Sequence, residues 1–225
     1  MSKTITLYHG SENIIPQPEL GKGKPTNDYG QGFYCTEHFE LACEWASKTA
    51  GSQGYANQYL LDLTDLKILD LSDPAYNILH WLTLLLQNRT FTSTSPISVQ
   101  ATRYLLEHFS IDVSEYDVIK GYRADDSYFS FARDFVNNTI SVQKLAQAMK
   151  LGKLGIQYML RTEQAFSQLQ YIDAPEVDVA LYHAKYLKRD LKARSDYQKT
   201  RGNLALDPNE LYILDIIRGG IKIEN

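Results

Sequence analysis

Cysteine, long apolar runs and a surplus of either charge are all scarce in this sequence. Cys35 and Cys43 are its only cysteines among 225 residues. They are too few and too close for a disulfide framework and form no C-x-x-C pair, so a reduced cytosolic thiol pair is expected. His38 is the only histidine near them and the spacing forms no recognised ligand set, so no metal is expected. No apolar run reaches the roughly twenty residues that a membrane-spanning helix needs. The stretch 78–86 is apolar but too short, and no membrane partner is expected. The start, MSKTITLYHG, has no apolar core of the kind a signal peptide carries, which points to a cytoplasmic location. A net charge of -4 with 22% charged residues gives no global sign of a nucleic-acid binder. Without internal repeats or low-complexity linkers, residues 1–225 read as one domain.

What the chain does have is apolar content and rings. Hydrophobic residues make up 44%, enough for a sizeable core, and there are sixteen tyrosines. The densest stretch is 27–46, NDYGQGFYCTEHFELACEWA. Gly30 and Gly32 flank Gln31, and Phe33-Tyr34-Cys35-Thr36 reads as a short strand. Residues 37–50 read as a helix with Thr36 as N-cap, placing Leu41, Ala42, Trp45 and Ala46 on one face. The spacing G-x-G-x-x-C lacks a third glycine and precedes a strand, whereas a dinucleotide fingerprint follows a strand and opens a helix. An ordinary turn with aromatics in the core therefore stands beside a reading in which glycine lets backbone approach a flat ligand.

Elsewhere, strands are expected at 4–9, 55–62, 66–70, 115–119, 156–160, 169–172 and 211–216. Helices are expected at 76–87, 99–109, 127–137, 141–149, from 162, and at 177–194. Residues 12–28 contain three prolines and read as loop. Short strands near both ends and helices between them predict an α+β fold with a helical insertion at roughly 74–150. Lys185, Lys188, Arg189, Lys192 and Arg194, continuing to Lys199 and Arg201, form a basic run. It reads as a solvated face or as a contact for phosphate or an acidic partner.

Three pieces together resemble the ADP-ribosyltransferase superfamily, on its diphtheria-toxin and poly(ADP-ribose) polymerase side. They are Leu7-Tyr8-His9-Gly10-Ser11, Tyr29-Gly30-Gln31-Gly32-Phe33-Tyr34 and Gln157-Tyr158-Met159-Leu160. More closely, the stretches 121–129, 151–157 and 211–218 look like a bacterial toxin-like family of that superfamily, catalogued as a domain of unknown function. The resemblance implies a split β-sheet core and transfer of ADP-ribose from NAD, the co-substrate, to a protein or nucleic-acid acceptor. It also implies a toxin or defence role with a possible cognate antitoxin.

By that resemblance His9 and Ser11 would bond the adenosine ribose, and the Gly10 backbone would hold the nicotinamide amide. Gly32 would belong to the cofactor-binding segment. Tyr34 would wall the nicotinamide slot, with Trp45 as a second stacking face. Gln157 stands where those enzymes carry a catalytic glutamate, and Ala42 where the polymerases carry a serine. An amide offers no negative charge to a ribosyl cation, at a cost on the order of 3 kcal/mol. Arg123 is a candidate for the pyrophosphate, Asp126 for orienting an acceptor, and Glu163 for a substitute carboxylate. A weakened NAD- or ADP-ribose-binding or protein-interaction module and an NAD glycohydrolase remain open beside the transferase.

Overall fold

The computed structural model describes residues 3–91, 95–124, 126–151, 155–202 and 209–219. The expected helix cap at Asp125, the side chain of Asp126 and most of the turn at 151–155 lie outside the described residues.

The described strands are β1 (Thr4–Ser11), β2 (Phe33–Thr36), β3 (Tyr55–Asp62), β4 (Ile68–Asp70), β5 (Val118–Tyr122), β6 (Ile156–Leu160) and β7 (Leu169–Asp173). The helices are α1 (Phe39–Ala46), α2 (Ile78–Asn88), α3 (Pro96–His108), α4 (Asp126–Val136), α5 (Val142–Leu151), α6 (Glu163–Ser167), α7 (Val179–Gly202) and α8 (Ile213–Gly219). The fold is therefore α+β. Seven strands share one mixed sheet in the order β4-β5-β6-β2-β1-β3-β7. Only β4 and β5 run parallel; the other neighbours are antiparallel.

Pairing is uneven across this sheet. β1 matches β3 over eight residues and β2 matches β6 over four. Between β1 and β2 the register holds at one pair, Tyr8 opposite Thr36. Residues 9–11 and 33–35 add no further pair to that ladder, so on these edges both strands leave backbone groups outside it. Buried polar backbone needs partners from somewhere, and this gap is where the candidate site lies.

Contacts divide the chain into two compact units. The first comprises Met1–Asp70, Val113–Arg123 and Leu154–Arg189, and it holds the whole sheet. One sheet face buries Leu7, Cys35, Leu61, Val118, Tyr158, Leu160 and Ala165 together, with Phe33 and Phe166 against them. A second cluster packs Ala42, Cys43 and Ala46 of α1 on Ala56 and Val177. These small residues allow close approach: a Cβ at Gly10 would lie 1.8 Å from the Ala42 carbonyl oxygen. Cys35 and Cys43 are both free and buried.

The second unit comprises Leu71–Asp112, Ala124–Lys153 and Asp190–Asn225. Its described elements are helical. The insertion expected at 74–150 falls largely here, apart from 113–123, which supplies β5 to the sheet. α2 buries Leu79, Trp81, Leu82, Thr83, Leu84, Leu85 and Leu86, the many-sided burial its apolar composition predicts. Asn77 and His80 close its first turn as a capping box, and Ser95 and Ser98 do the same for α3, with Pro96 in the first turn.

Two expectations fail. Residues 211–216 do not form a strand; they run into α8. The Tyr212 N–H donates to the Asp215 carboxylate and Ile213 and Ile216 are buried one turn apart. A short apolar run with aspartate inside it satisfies either period, and the side-chain cap favours the helix. Nor does Thr36 cap α1. Its hydroxyl accepts from the His38 N–H, and His38 occupies the N-cap with no side-chain bond. The helix starts later and ends at Ala46, where the Ser47 hydroxyl donates back to the Cys43 carbonyl.

Candidate active site

The loop before β2 closes a turn in which the Gly30 N–H donates to the Asn27 carbonyl, 3.1 Å. Gly30 has φ +88°, a backbone conformation that glycine adopts without strain. Four residues on, the Tyr34 phenol folds back onto the same turn. Its oxygen accepts from the Tyr29 N–H at 2.9 Å and its hydroxyl donates to the Gly30 carbonyl at 2.8 Å. The rings of Tyr29 and Tyr34 lie nearly parallel, 6.5 Å apart between centroids. Tyr34 thus holds rigid the turn that presents Asp28 and Tyr29.

Both presented residues reach across the sheet. The Tyr29 hydroxyl donates to the Tyr122 carbonyl at the end of β5. The Asp28 carboxylate accepts from Gln157 Nε2 at 2.9 Å, and the same amide nitrogen lies 3.4 Å from the Tyr122 carbonyl. Gln157 is 3% exposed and Asp28 6%. Both partners of the amide are pure acceptors, so the nitrogen faces them and Oε1 faces away. Gln157 pairs with Thr36 of β2 on one side and Gly121 of β5 on the other, in the middle of the half-sheet.

His9 closes the other end. Its Nδ1 lies 2.6 Å from the Tyr34 carbonyl oxygen, and its ring packs on Phe33 at 4.5 Å between centroids. A carbonyl only accepts, so Nδ1 carries the proton and Nε2 of the neutral ring offers a lone pair. Burial lowers the His9 pKa below 6.5, and the Tyr34 carbonyl opposes that shift. The ring is therefore mainly neutral at pH 7. An unbroken run of contacts leads from His9 through Tyr34, Tyr29 and Tyr122 to Gln157 and Asp28. By strand alternation His9 and Gln157 start from opposite faces of the sheet, and Tyr34 joins them.

The remaining expected residues divide. Ser11 ends β1 and its hydroxyl accepts from the Asn13 N–H. Arg123, 8% exposed, lies over the Trp45 ring at 4.6 Å, so the described partner of the indole is a guanidinium and not Tyr34. Trp45 Nε1 is buried and has no hydrogen-bond partner. The two glycines are glycines for packing: Gly10 against α1, as above, and Gly32 against β6, where a Cβ would lie 2.2 Å from the Met159 sulfur. Glu163 opens α6, where the preceding Thr162 caps the helix through the Ala165 N–H.

Reasoning from sequence missed Asp28 and Asn57. Asn57 is fully buried in β3. Its amide nitrogen donates to the carbonyls of His9 and Asn13, and its oxygen accepts from the Ile15 N–H at 2.7 Å. It ties the loop after β1 to the sheet beside His9. An asparagine inside a strand is the signal that was there to read.

Residues 5–171 match the family described as "Protein of unknown function (DUF3990)". The chain belongs to that family. No curated protein and no solved structure matches it. The matched span of this DUF3990 chain takes in the whole network from His9 to Gln157 and stops within β7. Among the described residues no three metal-ligating side chains come together, and no helix is long and apolar enough to cross a membrane.

Proposed function

We propose that this protein is an NAD-dependent mono-ADP-ribosyltransferase with a toxin or defence role, built on an ADP-ribosyltransferase-like split sheet. The observation that carries the reading is the joining of His9, Tyr34 and Gln157, from three strands, in one hydrogen-bonded network where β1 and β2 part. The single register pair between those strands supports a division into β4-β5-β6-β2 and β1-β3-β7, with NAD held at the gap.

In the reaction, the bond between the ribose C1′ and nicotinamide breaks with both electrons going to nicotinamide. The sugar takes up the positive charge, an acceptor lone pair closes on C1′, and the acceptor's proton passes to water. His9 Nε2, unprotonated, accepts from a ribose hydroxyl. Tyr34 and Tyr29 present ring faces to nicotinamide. The Arg123 guanidinium and the unmatched Trp45 N–H offer positive charge and a donor to the pyrophosphate. Gln157 Oε1 accepts from a hydroxyl of the ribose that becomes charged.

A protein acceptor is favoured over nucleic acid. In the basic run, Lys185, Arg189 and Arg194 each have a carboxylate partner and Lys192 and Lys199 share Asp196, which reduces the positive field offered to phosphate. Incubating the purified protein with NAD labelled in its adenylate and with fractionated cell extract tests the reading. Label on a macromolecule is the expected result, lost in His9→Ala. Loss of NAD without labelled product assigns a glycohydrolase instead. NAD bound but intact assigns a binding module.

A further inference from the structure

The ribosyl cation in the proposed reaction needs negative charge nearby, and Gln157, the residue best placed on β6, has none. The carboxylate that accepts from its amide is Asp28, 129 residues earlier in the chain. Nothing in the sequence relates the two. They meet because the Tyr34 phenol holds the turn at 27–30 while β2 pairs with β6 in the register that sets Thr36 beside Gln157. Resting on the transferase reading, we propose that Asp28 is a positioning and charge-donating residue that works through Gln157, so that the carboxylate and the amide together act as one relayed carboxylate toward the ribose.

Two physical effects make the pair more than a structural contact. First, an amide can sit either way round, and only one orientation presents an acceptor to a hydroxyl. With Asp28 Oδ2 and the Tyr122 carbonyl both facing Nε2, Oε1 is the atom turned away from them. Second, an amide N–H that donates to a carboxylate is polarised, and its carbonyl oxygen gains negative charge. Chains of hydrogen bonds reinforce one another in this way where the dielectric is low. Both residues are more than nine-tenths buried, so the charge is screened less than it would be in water. The arrangement favours the charged transition state over neutral recognition of the sugar, so it acts on turnover more than on binding.

The test uses the full chain and four proteins: the parent, Asp28→Asn, Gln157→Glu and the double variant Asp28→Asn/Gln157→Glu. NAD consumption gives kcat and KM, calorimetry gives NAD affinity, and thermal unfolding reports folding. Asp28→Asn is expected to lower kcat by about ten- to a hundredfold with KM changed by less than about threefold. Gln157→Glu sets two carboxylates face to face and is expected to lower kcat too. The double variant restores one carboxylate and one amide in exchanged positions and is expected to recover most of the lost rate. The side-chain amide oxygen of Asp28→Asn can still accept from Gln157, so a purely structural bond predicts parental kcat in that variant. The exchange restores the bond as well as the charge, so its rescue is read at matched thermal unfolding. There a structural bond predicts kcat that follows stability, and the relay predicts kcat that follows the carboxylate. Parental kcat in Asp28→Asn, or a double variant no faster than Gln157→Glu, overturns the proposal while the transferase reading stands. A parent that binds NAD and leaves it intact overturns the proposal but keeps recognition of NAD. A parent that neither binds nor consumes NAD overturns both.

Discussion

Asn57 shows how one side chain decides whether a neighbouring loop holds its shape. The three described hydrogen bonds of its side chain go to backbone groups of residues 9, 13 and 15. Alanine there strands buried donors and acceptors, each costing about 1–3 kcal/mol. Asn57→Ala should lose about 2–4 kcal/mol in urea unfolding and weaken NAD binding as well. His9 gives a pH signature. Its folded-state pKa is lowered, so below about pH 6.5 the unfolded chain holds more protons than the folded one. Stability is then fully present at neutral pH and falls as the pH drops through that window. His80, also lowered by burial, has the same sign. His9→Gln should flatten the slope between pH 7 and 5.5 in part, and His9→Gln/His80→Gln should flatten it further. An unchanged slope in the double variant would remove both histidines as its source.

At the scale of elements, α1 and α7 carry matched charges four residues apart. Glu40 meets Lys185 and Glu44 meets Arg189. The inner pair is mostly buried, with side chains 10% and 17% exposed, and the outer pair is open to water. Removing the cation from a buried pair leaves an uncompensated charge, so Arg189→Met should cost about 3 kcal/mol or more. Lys185→Ala should cost under about 1 kcal/mol. Gly10→Ala drives a methyl into the α1 backbone, and it should destabilise by more than the about 1–3 kcal/mol of ordinary overpacking. Chemical denaturation of the three variants checks the order. This is also where the sequence proved readable and where it did not. The alternation of TITLYH and YANQYLLD announces strands, and the apolar surplus of 78–86 announces a buried helix. The basic run was legible as cations, but not as ladders, because Glu40 and Glu44 lie some 145 positions away from their partners. LYILDI at 211–216 misled for a different reason: six residues are too few to separate a period of two from one of 3.6 when a side-chain cap can tip the balance.

For the molecule as a whole, three of the residues expected at a site, His9, Tyr34 and Gln157, lie in one unit on one network. What joins them was invisible beforehand. Asp28 sat in a stretch legible only as loop, and no local pattern links it to residue 157. The glycines were read as letting backbone approach a flat ligand, and the close neighbours at Gly10 and Gly32 are α1 and β6. Binding of NAD to the folded state alone should raise stability by about 2.7 kcal/mol at a hundred times its dissociation constant. The most direct test of the central claim is transfer of adenylate-labelled ADP-ribose from NAD to cell-extract proteins by the parent and by His9→Ala. Labelled protein with the parent, and at least about tenfold less with His9→Ala, is the expected result. Intact NAD and unlabelled extract with the parent, or equal labelling by the two, would contradict it.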